Sequence, residues 1–176
     1  TKNLLIKRFK IKEEKLELAY YGYEVPKINK KFFKKNNDTI YVGFIGRFEI
    51  FKGVHSLIRA ANLLKDKNIE FHIAGNGYLA EDLKKIAKGN KKIKFKGEVL
   101  NPIHFIKTID ILVVPSIREP LGLINVEAGL CKVPVIASNI DGIPEVIKNN
   151  YDGILIKPDQ KINLKEYRGQ APLPDF

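Results

Sequence analysis

The stretch Ile109-Asp110-Ile111-Leu112-Val113-Val114-Pro115-Ser116-Ile117-Arg118-Glu119-Pro120-Leu121-Gly122-Leu123-Ile124-Asn125-Val126-Glu127-Ala128-Gly129 reads as a strand, a loop and a helix, in that order. Ile109 to Val114 is almost wholly apolar and stops at Pro115-Ser116, as a strand buried on both faces does. Pro120 and Gly122 keep Glu119 in the loop that follows. From Leu123 onward the pattern suits a helix, which puts Glu127 on its second turn. Amides near Gly122 and Leu123 then lack intrahelical acceptors at a positive helix end, a setting that favours a phosphate. Two carboxylates beside such amides suit a sugar nucleotide, the acids taking hydroxyls and the amides the diphosphate. A loop acid and a solvated helix acid explain the same pair when it is read alone, so its neighbours decide.

Working outward, the same strand-to-helix alternation runs from Thr39 to Ile156. Ile40 to Ile45 is a buried strand, followed by the loop Gly46 to Gly53 and by Val54, Leu57, Ile58, Ala61 and Leu64 at helical spacing. Ile69 to Ala74 is a second strand, and Leu79, Leu83, Ile86 and Ala87 mark one face of the next helix. Ile93 to Phe95 is a short strand closed by Gly97, and Asn101-Pro102 is a cap followed by proline at the first helical position. Val133 to Ala137 and Ile154 to Ile156 complete the strands, and Asp141 is expected to cap a helix running through Val146. Short loops joining alternating strands and helices imply an α/β fold, a Rossmann-like parallel sheet flanked by helices. Before this region, Leu4, Leu5, Ile6 and Phe9 suit one side of a short helix and Leu16 to Tyr21 a strand. Gly22 to Asn37 reads as a linker.

Composition narrows the partners. The 176 residues are 44% hydrophobic, enough for one sizeable core. A formal net charge of +11 favours anionic partners, namely nucleotide phosphates, nucleic acid or an acidic membrane surface. A single cysteine, Cys131, rules out an internal disulfide framework and fits a reducing, cytoplasmic compartment. No apolar run approaches the ~20 residues of a membrane span. Thr1 is not a natural initiator, so the chain reads as an excised piece.

In an open parallel sheet, ligands bind beyond the carboxyl ends of the strands. Gly46, Arg47 and Lys52 follow the first strand, Gly75 to Gly77 the second, and Gly97 to Val99 the third. Ser116 to Glu119 follow the Ile109 strand, and Asn139 to Gly142 the Val133 strand. All therefore converge on one rim, where Arg47 and Lys52 would offer two cations to a diphosphate. The competing reading pairs each cation with a surface acid such as Glu49.

From about Ile40 to Lys157 the chain resembles the donor-binding C-terminal domain of the GT-B, group 1 or family 4, retaining glycosyltransferases. The residues carrying this are Gly46-Arg47 with Lys52-Gly53, Ala74-Gly75-Asn76-Gly77, Phe95-Lys96-Gly97-Glu98-Val99, and Val114-Pro115-Ser116 with Glu119 to Glu127. Pro134 to Ser138 and Gly142 to Val146 close the match. The resemblance implies that Arg47 and Lys52 grip the diphosphate and stabilise the departing nucleotide, with no metal needed for that step. It implies that Glu119 faces the transferred sugar and that Glu127 takes the ribose hydroxyls. Leu121, Gly122 and Leu123 would offer amides, Val99 would border the nucleobase, and Gly46 and Gly75 would line the donor side. The donor is a nucleotide-diphosphate sugar, a substrate and not a cofactor.

This chain departs from the family pattern in two ways. Lys132-Val133 stand where glycine is common, so that loop is expected to differ in shape. Residues 1–38 resemble only the end of an N-terminal domain plus linker, ahead of a nucleotide-sugar domain at 39–160 and a disordered tail at 161–176. The expectation is a donor half, inactive without its acceptor domain, with peripheral contact to anionic membrane and no nucleic acid. The alternative is a basic module for nucleic acid or membrane, using the lysine-rich first 38 residues. A nicotinamide enzyme is disfavoured, because Gly75-Asn76-Gly77 lacks the later glycine and follows the second strand. His55, His72 and His104 lack partners at metal-ligand spacing. Ser116 lacks a nucleophile-elbow frame, and Cys131 reads as core.

Overall fold

The computed structural model describes residues 2–20, 22–23 and 38–158, and the chain divides into two compact units, Thr1–Lys30 and Lys31–Phe176. The readings of a linker through Asn37 and of a tail at 161–176 fall largely or wholly outside the described residues. In the first unit, helix α1 (Lys2–Phe9) forms as expected, and a 3-10 turn follows at Glu13–Lys15. Leu16 to Tyr20 is not a strand, which corrects the expectation for that segment. A segment that joins no ladder among the described residues is not a strand, whatever its local composition.

The second unit is a six-stranded parallel sheet in the order β3-β2-β1-β4-β5-β6. The strands are β1 (Ile40–Ile45), β2 (Ile69–Ala74), β3 (Ile93–Gly97), β4 (Ile111–Val114), β5 (Val135–Ser138) and β6 (Gly153–Ile156). β1 and β2 have the bounds read from sequence. β4 and β5 begin two residues late, because Asp110 and Pro134 meet the neighbouring strand only at its margin. Asp110 N donates to Tyr41 O at 2.7 Å, while its Oδ2 accepts from Tyr41 N at 2.8 Å.

Helices α2 (Val54–Leu63) and α3 (Ala80–Ile86) cover one face. There Val54, Ile58 and Ala61 of α2 and Leu79 and Leu83 at α3 meet Phe44, Phe71 and Ile73, all 5% exposed or less. Helices α4 (Pro102–Ile106), α5 (Leu123–Leu130) and α6 (Ile143–Val146) cover the other, over Leu112, Val114, Val135 and Ala137. Two-sided burial is why the central strands read as continuous apolar runs and not as alternation. Asn101 caps α4 as expected, its Oδ1 accepting from His104 N at 3.1 Å.

Two local expectations change. Asp141 does not cap α6: the cap position is Gly142, with no side-chain bond, and Asp141 itself is left-handed (φ 47°). With Pro at the second turn position of a four-residue helix, the carboxylate is turned outward to another loop, described below. At the end of α5, Lys132 takes the left-handed conformation that glycine usually supplies (φ 59°). Lys132 N bonds Gly129 O at 2.9 Å and Val133 N bonds Ala128 O at 3.0 Å, the paired closure of a Schellman motif.

Candidate functional site

The strand order places β1 and β4 side by side although two strands intervene in sequence, so their loops leave the sheet in opposite directions. In open parallel sheets such a reversal is where a ligand crevice forms, beyond the carboxyl ends of the strands. The β1 loop runs into a 3-10 turn at Ile50–Lys52 and then α2. It is pressed onto the β4 loop: Ile117 N donates to Phe51 O at 2.8 Å, and a Cβ on Gly53 would lie 1.9 Å from Pro115 O. Only glycine permits that approach, at a left-handed φ of 65°.

Behind it, the β2 loop forms a wall. Phe48 N bonds Asn76 O at 2.7 Å, Leu79 N bonds Phe48 O at 3.1 Å, and Ile50 N bonds Tyr78 Oη at 3.0 Å. Gly46 N to Ala74 O and Gly75 N to Gly97 O join the first three loops in series. Gly46 and Gly75 thus lie in the backbone of this wall, and Val99 packs into the core beside it.

Across the crevice, Lys52 Nζ meets Glu119 Oε2 at 2.6 Å, and Ser116 Oγ donates to the same oxygen at 3.2 Å. Glu119 is 7% exposed, so its charge is held by this ammonium and hydroxyl. Its peptide is clamped from the β5 loop. Glu119 N donates to Asp141 Oδ2 at 2.9 Å, and Glu119 O accepts from Gly142 N at 3.2 Å. Asp141 therefore fixes the acid's backbone, which explains its outward turn. Arg47 behaves differently: it pairs with Glu49 of its own loop at 2.8 Å, with its side chain 73% exposed.

Past Glu119, Leu121 is half-buried, Gly122 is left-handed (φ 76°), and Leu123 opens α5 with no side-chain cap on its amides. Glu127 is half-buried on the second turn of α5. The sequence thus placed Lys52 and Glu119 on one rim, and the structure brings them into contact. Reading by sequence missed Ser116 as a donor and Asp141 as a clamp, while the competing reading that pairs a cation with Glu49 holds for Arg47 and not for Lys52. It also passed over Asn125, a 1% exposed polar residue whose only signal was its place among apolar helix neighbours.

Two groups away from this rim, Cys131 and His72, are shifted mainly by burial. Burial pushes the Cys131 thiol up, Glu127 adds to this and Lys107 opposes it, so the thiolate is disfavoured. Burial lowers His72 below its usual range despite Glu70 Oε1 at 2.7 Å, with Lys94 and Lys96 acting in the same sense as burial. Among the described residues, no group of three or more His, Cys, Asp or Glu is arranged to hold a metal ion. No helix among them is long and apolar enough to cross a membrane.

Comparison with known proteins places the chain in a family. The family model for glycosyl transferases group 1 matches residues 26–168. The Staphylococcus aureus capsular polysaccharide biosynthesis glycosyltransferase CapH is 35% identical over 145 residues, covering 78% of this chain and 40% of that protein. The crystal structure of Anabaena HepE in complex with UDP-glucose matches at TM-score 0.63 and 25% identity, over 69% of this chain and 35% of that one. The C-terminal domain of LpcC from Francisella tularensis, a glycosyl transferase group 1 family protein, matches at TM-score 0.60 and 27% identity over 68% of each chain. The chain spans between 33% and 45% of the length of the curated relatives it matches. A six-stranded parallel sheet whose order reverses between β1 and β4, matched over residues 26–168 by that family model, leaves one assignment: the chain belongs to the group 1 glycosyl transferases.

Proposed function

We propose that this chain is the donor-binding half of a retaining glycosyltransferase that moves a sugar from a nucleotide-diphosphate sugar to a glycan or lipid acceptor. The observation that carries the reading is the Lys52–Glu119 contact at the strand-order reversal, beside the uncapped amide end of α5. Lys52 is a fixed cation, a quarter exposed, where a diphosphate would lie. Arg47 supplies a second once it exchanges Glu49 for phosphate oxygens. Both stabilise the charge that develops on the departing nucleotide, so this step needs no divalent ion. Glu119 then faces the transferred sugar, and Glu127 accepts from the ribose hydroxyls. The amides of Leu121, Gly122 and Leu123 take phosphate and sugar oxygens, and Val99 borders the base. HepE, a structural neighbour, holds UDP-glucose, which supports the donor class. The match to LpcC's C-terminal domain supports the assignment to the donor half, and the resemblance to the family carries retention.

Isothermal titration with UDP, UDP-glucose and GDP-sugars tests this. We expect binding by at least one, insensitive to chelator and weakened at least tenfold by Lys52→Ala. No binding by any of them to a folded sample would remove the reading. Turnover by this chain alone would contradict its being only the donor half.

The same reading puts the parent enzyme in the cytoplasm at an anionic lipid surface. Seven lysines fall between Lys84 and Lys96 with no acid among them, and polybasic segments gain about 1 kcal/mol per residue near such membranes. Salt-sensitive sedimentation with phosphatidylglycerol vesicles, absent with phosphatidylcholine, is the expected outcome.

A further inference from the structure

Asn125 stands at the third position of α5, 1% exposed, and neither its Oδ1 nor its Nδ2 has a hydrogen-bond partner among the described residues. A residue there often reaches back to cap its own helix, but this one does not. Leaving a buried carboxamide unpaired is costly, and an apolar side chain of the same size would avoid the penalty. The close packing around Gly122 shows what the group is near. A Cβ built on Gly122 would lie 2.4 Å from Asn125 Nδ2 and 3.1 Å from Glu119 Cγ. The orphan amide and the stem of the buried acid therefore pack against the same glycine.

Glu119 depends on Lys52 at 2.6 Å and on the longer bond from Ser116 at 3.2 Å. A diphosphate that takes up Lys52 removes the stronger of the two partners from a carboxylate that water barely reaches. We propose that Asn125 is a positioning residue for Glu119: its Nδ2 donates to the carboxylate once the ammonium has moved to phosphate, keeping the acid aimed into the crevice. The unpaired amide is then the waiting half of a hydrogen bond made when the diphosphate is bound. This rests on the nucleotide-sugar reading of the crevice, and the test separates the two.

Asn125→Leu should raise the melting temperature of the otherwise unaltered chain by about 2–4 °C, since it removes an unpaired buried amide. In a Lys52→Ala background, where Glu119 has already lost its cation, the same substitution should lower the melting temperature. A shift of the same sign in both backgrounds overturns the proposal, because a merely structural asparagine has no reason to change sign. Asn125→Asp covers the case in which the leucine variant does not fold: its melting loss should be larger in the Lys52→Ala background, and equal losses overturn the proposal. In titration with UDP, Asn125→Leu should bind about tenfold more weakly, and unchanged affinity counts against it. Failure of the unsubstituted chain to bind any nucleoside diphosphate strikes the crevice reading instead, and a sign change in the melting cycle would then still establish the Asn125–Glu119 bond.

Discussion

Two buried or half-buried asparagines sit at opposite rims of the sheet and differ in one respect. Asn90, at the amino ends of the strands, is fully employed. Its Nδ2 donates to Ala61 O at 3.0 Å and Asn62 Oδ1 at 3.1 Å, and its Oδ1 accepts from Lys92 N at 3.0 Å. Asn62 in turn donates to Ile86 O at 2.9 Å, so α2 and α3 are stitched together there. Asn125, at the carboxyl ends, bonds nothing among the described residues. The contrast extends to charge. The carboxyl rim buries an ion pair between loops 67 residues apart in sequence, whereas the surface pairs of α3, Lys84–Glu81 and Lys85–Asp82, are three apart. Fully satisfied polar contacts hold a fold together. Incompletely satisfied ones beside a buried charge mark where a ligand completes the structure.

Gly53→Ala should have the largest effect on this contrast. It forces a methyl group against Pro115 O at a left-handed position, so the β1 loop must leave the β4 loop. We expect a loss of about 3 kcal/mol or more in urea unfolding, with UDP affinity lost along with it. A loss of stability that spared affinity would mean that the loop contact does not position Lys52. Asn90→Ala should cost about 1–2 kcal/mol through three lost bonds while leaving UDP affinity unchanged. Altered affinity there would erase the distinction between the rims.

Lys132→Gly should stabilise the chain by up to about 1 kcal/mol, since glycine takes the left-handed cap without a Cβ penalty. No gain would show that the lysine stem offsets the strain. The smallest effect concerns pH. His72 is held below 6.5 by burial, against Tyr41, Glu70, Lys94 and Lys96 from β1, β2 and β3. Because the folded state disfavours its proton, its contribution is present above the unfolded value and is lost as pH falls from about 6.5 towards the folded one. His72→Phe should flatten the decline in melting temperature between about pH 7 and pH 5, and an unchanged slope would exclude His72 as its source.

How much could be read in advance varies with the range of the interaction. Ile40–Ile45, Ile69–Ala74 and the Asn101-Pro102 helix start were legible because each rests on local pattern: apolar runs, a cap and a proline. Leu16 to Tyr20 also read as a strand, yet it pairs with no strand among the described residues, and local pattern cannot supply a partner. Arg47 and Lys52 looked equivalent on paper, five residues apart in one loop, yet one meets its own loop's acid and the other an acid across the crevice.

The amino-acid order by itself determined an α/β sheet with its polar loops on one rim, because side-chain periodicity and turn chemistry act over a few residues. Tertiary structure alone decided that Lys52 would hold Glu119, that Asp141 would clamp that acid's backbone, and that Asn125 would be buried unpaired beside it. Those outcomes depend on β1 and β4 lying next to each other, and on how closely glycine lets their loops approach.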